Sequence, residues 1–449
     1  MSDTPQNAID RAHLDERALA YHAQKPAGKV ALDLTKPCAT QLDLSLAYTP
    51  GVAAPCLEIA RDPSLVDRYT ARGNLVGVVS NGTAVLGLGD IGALASKPVM
   101  EGKAVLFKRF ADVDCFDIEI EPRGVEEFCA VVEAMGPTFG GINLEDVKAP
   151  ECFEIESRLS RTLDIPVFHD DQHGTAIVSG AALINALELA EKSIAQAKFV
   201  FLGAGAAGLA CARFYRTLGM RPENAFMFDR EGLVRQSRAM NRWKAEFARE
   251  EGPSSLPRSL EEALDGADVF VGLSAGNQLT PRMLSRMARD PIVFALANPT
   301  PEIDPALAWA TRPDAILATG RSDYPNQVNN VLGFPSIFRG ALDTRSRAID
   351  DAMKRAACEA LAALAREEAV PEVAAAYGGV AQSFGRQALL PTPFDPRVVL
   401  RVAPAVARAA IESGLARRTI DLDAYPHELA ERMARAAHRR NRGQEARGA

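Results

Sequence analysis

One stretch restricts the fold of this 449-residue chain more than any other: KFVFLGAGAAGLACARFYRTLG, residues 198–219. A strand-like apolar run meets Gly203-Ala204-Gly205-Ala206-Ala207-Gly208, and apolar side chains then recur at helical spacing through Leu209, Phe214 and Leu218. A strand that turns this tightly into a helix lets bare backbone approach a pyrophosphate while helix N–H groups point at it. Asp229 stands 21 residues beyond Gly208, at the end of the next apolar run, where it can hold an adenosine ribose. Arg230 beside it could meet a 2′-phosphate, which leaves NADP and NAD both open. Further short apolar runs at 225–229, 268–274, 292–298 and 315–320 are separated by helical segments such as TPRMLSRMA, where Thr280 can cap and Pro281 can occupy the first turn. Strands alternating with helices predict an α/β fold with a doubly wound, Rossmann-type parallel sheet. Ligands gather at the carboxyl ends of such strands, which singles out Asn298, at the end of IVFALAN, and Asn329 and Asn330 in the next crossover.

Upstream, LVGVVS (75–80), AVLGLG (84–89), AVLFK (104–108) and CFDIEIE (115–121) read as strands of a smaller N-terminal α/β unit. A helical stretch from Thr175 to Glu191 joins the two units. The second match to G-x-G-x-x-G, at Gly87, Gly89 and Gly92, is expected to be a substrate-site turn, because Pro98 comes too early for a long helix. The expected organisation is a helical arm over 1–25, a substrate and metal domain over 26–172, and a dinucleotide domain with C-terminal helices over 173–430. A basic tail over 431–449 follows, frayed from His438 on.

Two pairs of acids carry the remaining chemistry. Glu145-Asp146 and Asp170-Asp171 each follow an apolar lead-in. Carboxylates gathered at the ends of buried strands repel one another unless a cation or proton joins them, and all-oxygen ligands suit Mg²⁺ or Mn²⁺. His169 and His173 stand four apart, but Gly174 follows and Asp170 occupies the place of the usual Glu, so a helical zinc site is not expected.

Composition removes other classes. Lys plus Arg is 51 against 58 for Asp plus Glu, and the net charge of −7 offers no attraction to nucleic acid or anionic lipid. No apolar run reaches the roughly 20 residues of a membrane helix, and MSDTPQNAID has no signal-peptide character. Seven scattered cysteines without a C-x-x-C pair suit a reducing cytoplasm.

With these pieces placed, the chain resembles the malic enzymes, particularly the shorter bacterial type, from LSLAYTPGVA (44–53) to PFDPRVVLRVAPAVARAA (393–410). The blocks GLGDIG, PVMEGKAVLFK, INLEDVKAP, FHDDQHGTA, the GAGAAG loop, LANPTPE and QVNNVLGFP fall in that family's order. The resemblance implies oxidation and decarboxylation of L-malate to pyruvate with NAD(P)⁺ and a divalent metal, in a homodimer or higher homo-oligomer. It implies Tyr48 as general acid, Lys103 as general base, Glu145, Asp146 and Asp171 as metal ligands with Asp170 assisting, Asn330 as a substrate contact and Asn298 as a cofactor contact. One departure is Ala84, where some larger malic enzymes carry a substrate-binding Arg. No phosphotransacetylase-like extension is seen, so regulation through one is not expected. The rival readings are a metal-independent amino-acid dehydrogenase, against which the paired acids argue, and a catalytically silent NAD(P)-binding paralogue.

Overall fold

The run Leu75–Ser80 (β1) is buried at every position, which leaves it no solvent face and makes it the middle of a sheet. In the computed structural model, which describes residues 11–85, 87–250, 256–376 and 383–448, β1 pairs in parallel with β2 (Asp114–Glu119) and β3 (Gly141–Leu144). β4 (Val167–His169) completes the order β2-β1-β3-β4. The second sheet holds β5 (Phe199–Leu202), β6 (Ala225–Asp229), β7 (Gly232–Leu233), β8 (Val269–Gly272), β9 (Ile292–Ala295) and β10 (Ile316–Thr319) in the order β10-β9-β8-β5-β6-β7. All its pairs are parallel except β6 with β7. The chain leaves β5 toward β6 on one side and returns to β8 on the other, the reversal that opens a ligand crevice at the carboxyl end of a doubly wound sheet.

Between the sheets runs the helix Asp170–Leu189, in which Ile177, Ala181 and Leu187 are buried. It starts five residues before the expected Thr175, because Asp170 and Asp171 supply the acidic first turn that a helix N-terminus favours. Gly174 is therefore inside a helix.

Three expectations for the first unit fail. AVLFK is not a strand but part of the 19-residue helix Ala93–Ala111, and Pro98, expected to come too early for a long helix, lies inside it. Its burial follows a helical period, with Met100, Ala104, Phe107 and Ala111 inside. Pro98 removes only the bond to Leu94, in the exposed first turn where water can take the freed carbonyl. In AVLGLG, Gly87 and Leu88 form a turn instead of a strand, and Val85 bridges to Gly89. Phe107 then fastens this helix to the helix Phe334–Asp343, with its ring edge-on to Phe334 and Phe338 at 4.7 and 5.2 Å. Burying such a side chain contributes about 2–3 kcal/mol.

The C-terminal helices Asp351–Leu364 and Arg397–Glu412 turn buried faces to the core. The last helix, Tyr425–Gly448, continues through the segment expected to fray, since Arg, Gln, Glu and Ala all favour helix. Tyr425 donates to Asp343 (2.6 Å) and Arg432 to Asp112 (3.1 Å), which ties this helix to both units.

Candidate active site

Sheet register brings the two acid pairs together. Leu144 on β3 pairs with His169 on β4, so Glu145-Asp146 and Asp170-Asp171 leave neighbouring parallel strands at one level. One carboxylate oxygen from each of Glu145, Asp146 and Asp171 lies within 4.8 Å of the other two. Asp146 adopts φ +53°, a left-handed turn that Asp tolerates at small cost. That turn lets its N–H donate to Asp171 Oδ2 (2.9 Å) while its carbonyl accepts from the N–H groups of Thr83 and Ala84 (3.1 and 3.0 Å).

Lys103, from the middle of its helix, places its ammonium 2.6 Å from Asp170 Oδ2 and 2.8 Å from Glu145 Oε1. The same group lies 4.3 Å from the centre of the Phe334 ring. Burial disfavours the Lys103 charge, but Asp170 and Glu145 outweigh it and raise the pKa. A lysine acting as base near neutral pH needs the opposite shift, so in this arrangement Lys103 is an ammonium. Burial pushes the Glu145 pKa well up, and Asp171, Asp170 and Asp146 add to that push against the pull of Lys103. Four clustered carboxylates facing one ammonium leave an excess of negative charge. A hard divalent cation fits this donor set both in charge and in ligand type.

Asn330 joins the cluster by donating from Nδ2 to Asp170 Oδ2 (3.1 Å), and its Oδ1 accepts from Thr175 Oγ1 (3.2 Å). A Cβ on Gly174 would lie 2.0 Å from Asp170 Oδ1, so only glycine leaves Asp170 room to reach Lys103. Glu156, which sequence reasoning passed over, accepts from the His169 N–H (3.1 Å), Gln172 Nε2 (3.1 Å) and His173 Nε2 (2.8 Å), bracing the turn that carries Asp170 and Asp171. Burial opposes its charge, but His173, through its hydrogen bond, and Lys354 hold the Glu156 pKa down at about 2, while burial lowers the His173 pKa in turn.

Tyr48 stands apart from this cluster. It caps the helix Gln41–Ala47, is 70% exposed, and its hydroxyl has no hydrogen-bond partner among the described residues.

The glycine turn after β5 has the geometry its spacing predicts. A Cβ on Gly208 would lie 1.9 Å from the Gly203 carbonyl oxygen, and one on Gly203 (φ +118°) would lie 2.4 Å from that of Leu273. Gly205 has open space before it, the condition for a phosphate to approach its backbone. Ala204, Ala206 and Ala207 complete the turn into the helix Ala206–Thr217. Asp229 ends β6 as expected, but Arg238 Nη2 donates to both its oxygens (2.9 Å each) and Lys244 Nζ to one (2.7 Å). Burial opposes ionisation, yet Lys244, the Glu231 N–H and Arg238 hold the Asp229 carboxyl below its usual range. Arg230 is exposed beside it. Arg238 and Lys244 are distant enough in sequence that spacing gave no sign of them.

Asn298 is exposed at the carboxyl end of the β9 run. A Cβ on Gly87 would lie 2.7 Å from the Asn298 carbonyl oxygen, and one on Gly320 would lie 2.9 Å from its Nδ2. The segment holding Thr83, Ala84 and Gly87 thus touches Asp146 on one side and Asn298 on the other. One short segment therefore links the acid cluster to the loop after β9, at the carboxyl end of the second sheet.

Glu302 is the last residue of the block LANPTPE, and nothing local in the sequence marks it. It is fully buried and accepts from the Ser274 and Ala297 N–H groups (3.1 Å each), joining the loops after β8 and β9. Burial pushes its carboxyl up to about 7 against those two donors. Since the folded pKa exceeds the unfolded one, the folded state holds the extra proton between about pH 4.5 and 7, and this group's contribution to stability falls as pH rises through that window. The fall is about 3 kcal/mol at most. Thermal unfolding of wild type and Glu302→Gln between pH 5 and 8 is expected to show a shallower decline for the variant, and parallel curves would mean that Glu302 does not titrate there.

Comparison with known proteins gives a single direction. Residues 27–160 match the family model of the malic enzyme N-terminal domain, and residues 172–381 that of the malic enzyme NAD binding domain. An NAD-dependent malic enzyme of Rhizobium meliloti is 58% identical over 93% of this chain and 54% of its own length. An NADP-dependent malic enzyme of Halomonas elongata is 55% identical over 90% of this chain and 95% of its own. The chain spans about half the length of most of the curated relatives it matches. A crystal structure of malic enzyme from Pyrococcus horikoshii superposes with a TM-score of 0.85 at 42% identity, covering 94% of this chain and 95% of that one.

Proposed function

Because this chain belongs to the malic enzyme family, we propose that it oxidises L-malate at C2 and decarboxylates it to pyruvate and CO2, using NADP⁺ or NAD⁺ and Mg²⁺ or Mn²⁺. The observation that carries this reading is the Lys103 ammonium held between Asp170 and Glu145 at the edge of a three-carboxylate cluster. A metal-independent amino-acid dehydrogenase would have no use for that concentration of buried charge, and a silent paralogue would have no reason to retain both halves of it.

Glu145, Asp146 and Asp171 would hold the cation, and the Gly203–Gly208 turn with Asp229 and Asn298 would hold the dinucleotide. Bound there, the dinucleotide would supply the hydride acceptor and the cation a Lewis acid at the substrate oxygens; a Glu145 engaged as metal ligand would no longer hold the Lys103 ammonium, and the lysine pKa would fall. Lys103 then takes the C2 hydroxyl proton as hydride departs, with Asp170 receiving and orienting the ammonium. The Asn330 amide orients the substrate carboxylate, a duty that Ala84 cannot share. After CO2 leaves from C4 a proton returns to C3, and Tyr48, which lies outside the cluster within one chain, can supply it only across a contact with a second copy.

In this chain alone Tyr48 is exposed, as are Leu42, Leu44, Leu46 and Leu57 around it in sequence, a density of exposed apolar side chains of the kind that marks an interface. We assign that face to a second copy of the chain, which excludes water around Tyr48. Sedimentation is expected to show a dimer that Leu44→Asp combined with Leu46→Asp dissociates.

The decisive assay follows the near-ultraviolet absorbance of reduced nicotinamide with L-malate and Mn²⁺, with pyruvate measured as product. Reduction of neither cofactor would overturn the proposal. For cofactor choice, Lys244 and Arg238 crowd cations around Asp229, which suits a 2′-phosphate. Lys244→Ala is expected to raise the KM for NADP about tenfold and leave that for NAD nearly unchanged. Equal effects on both would make Lys244 only a partner of Asp229.

A further inference from the structure

Away from the acid cluster, a cavity of about 330 Å³ opens between the end of the Lys103 helix, the start of the helix Arg397–Glu412 and the last helix. Its walls are mostly apolar, with Phe110, Val331, Val398, Val399, Met433 and Ala437 among them. Val331 is the residue after Asn330. Two arginines also line it, Arg109 and Arg440, and neither has a carboxylate within ion-pairing distance among the described residues. Arg440 Nη1 is buried with no hydrogen-bond partner.

The neighbouring acids are engaged elsewhere. Asp395, also in the wall, accepts from Arg397 Nε (3.0 Å) and Nη2 (2.7 Å). Asp112 is held by Lys108 (2.7 Å), Arg432 (3.1 Å) and Arg439 (3.3 Å). Burial opposes the Arg440 charge, and the like charges of Arg109 and Arg439 add to that opposition against a weaker pull from Asp112, whose own oxygens are taken by Lys108, Arg432 and Arg439. The buried, unbonded Arg440 Nη1 costs free energy that an anion would recover, exposed Arg109 stands at the rim to close on the same anion, and the apolar walls call for an apolar body behind it. The volume suits a small molecule rather than a peptide helix.

The geometry points to a ligand site for small apolar carboxylates, with the carboxylate between Arg109 and Arg440 and the hydrocarbon against Val398, Val399 and Met433. Binding is read without turnover, so its result is independent of the proposed reaction.

The test is calorimetric titration of the full chain with octanoate and, separately, octan-1-ol. Saturable binding of one octanoate per chain is expected. Arg109→Gln with Arg440→Gln should weaken octanoate about tenfold and leave octanol unaffected. Ala434→Trp, at an exposed wall position, should abolish binding of both, with thermal unfolding verifying that each variant folds. The site is overturned by no saturable octanoate binding to wild type, by equal octanoate affinity in the double Arg variant, or by binding that survives Ala434→Trp. Binding seen only at dilution and lost as the chain associates would make a second copy the occupant, which also overturns it.

Discussion

Lys103→Ala is expected to lower kcat for malate oxidation about 10³-fold, within the range that a positioned general base supplies. The proposed dinucleotide contacts lie on the other sheet, so NADPH binding followed by fluorescence should be nearly unchanged. Lys103→Arg separates charge from proton transfer. Arginine can keep the bonds to Asp170 and Glu145, but it does not give up its proton, so it should restore folding stability and not rate. The alanine variant leaves two buried carboxylates without their ammonium, and breaking such a pair costs about 3–5 kcal/mol. Its melting temperature should fall in EDTA and recover in part with Mn²⁺. Wild-type rates in Lys103→Arg would remove proton transfer at this atom from the reaction.

Asp171→Asn is expected to act with opposite signs on stability according to the metal. In EDTA the variant should melt above wild type, because one carboxylate is gone from a cluster whose crowding already pushes Glu145 up. The amide oxygen can still accept the Asp146 N–H, so the local turn is preserved. With Mn²⁺ at about a hundred times its Kd, wild type should gain about 2.7 kcal/mol. The variant should gain little and lose nearly all activity. If Mn²⁺ stabilises both proteins equally, these three acids do not form the metal site.

Much of the second unit was legible because its signals are local. Gly203, Gly205 and Gly208 matter through the absence of a Cβ, and the flanking runs are too apolar to serve as anything but buried strands. The first unit was less legible. A five-residue apolar run such as AVLFK fits strand or helix equally, and the burial of Met100, Ala104 and Phe107 against Phe334 and Phe338 decided for the helix. Asp229 was found by spacing, whereas Arg238 and Lys244, which neutralise it, were not.

What the sequence determined by itself was the order and type of its strongest elements, the glycine turn, and the presence of two acid pairs, since each depends on neighbours within a few residues. Only the tertiary structure decided that Leu144 and His169 sit side by side, so that Asp170 and Glu145 converge on Lys103 beside Asp146 and Asp171, and that Glu302 is buried between two loops. It also left Tyr48 outside the cluster, on an exposed apolar face. Charge pairing, burial and the pKa shifts they cause arise from the register of strands that the chain separates by tens of residues, and residue spacing does not encode that register.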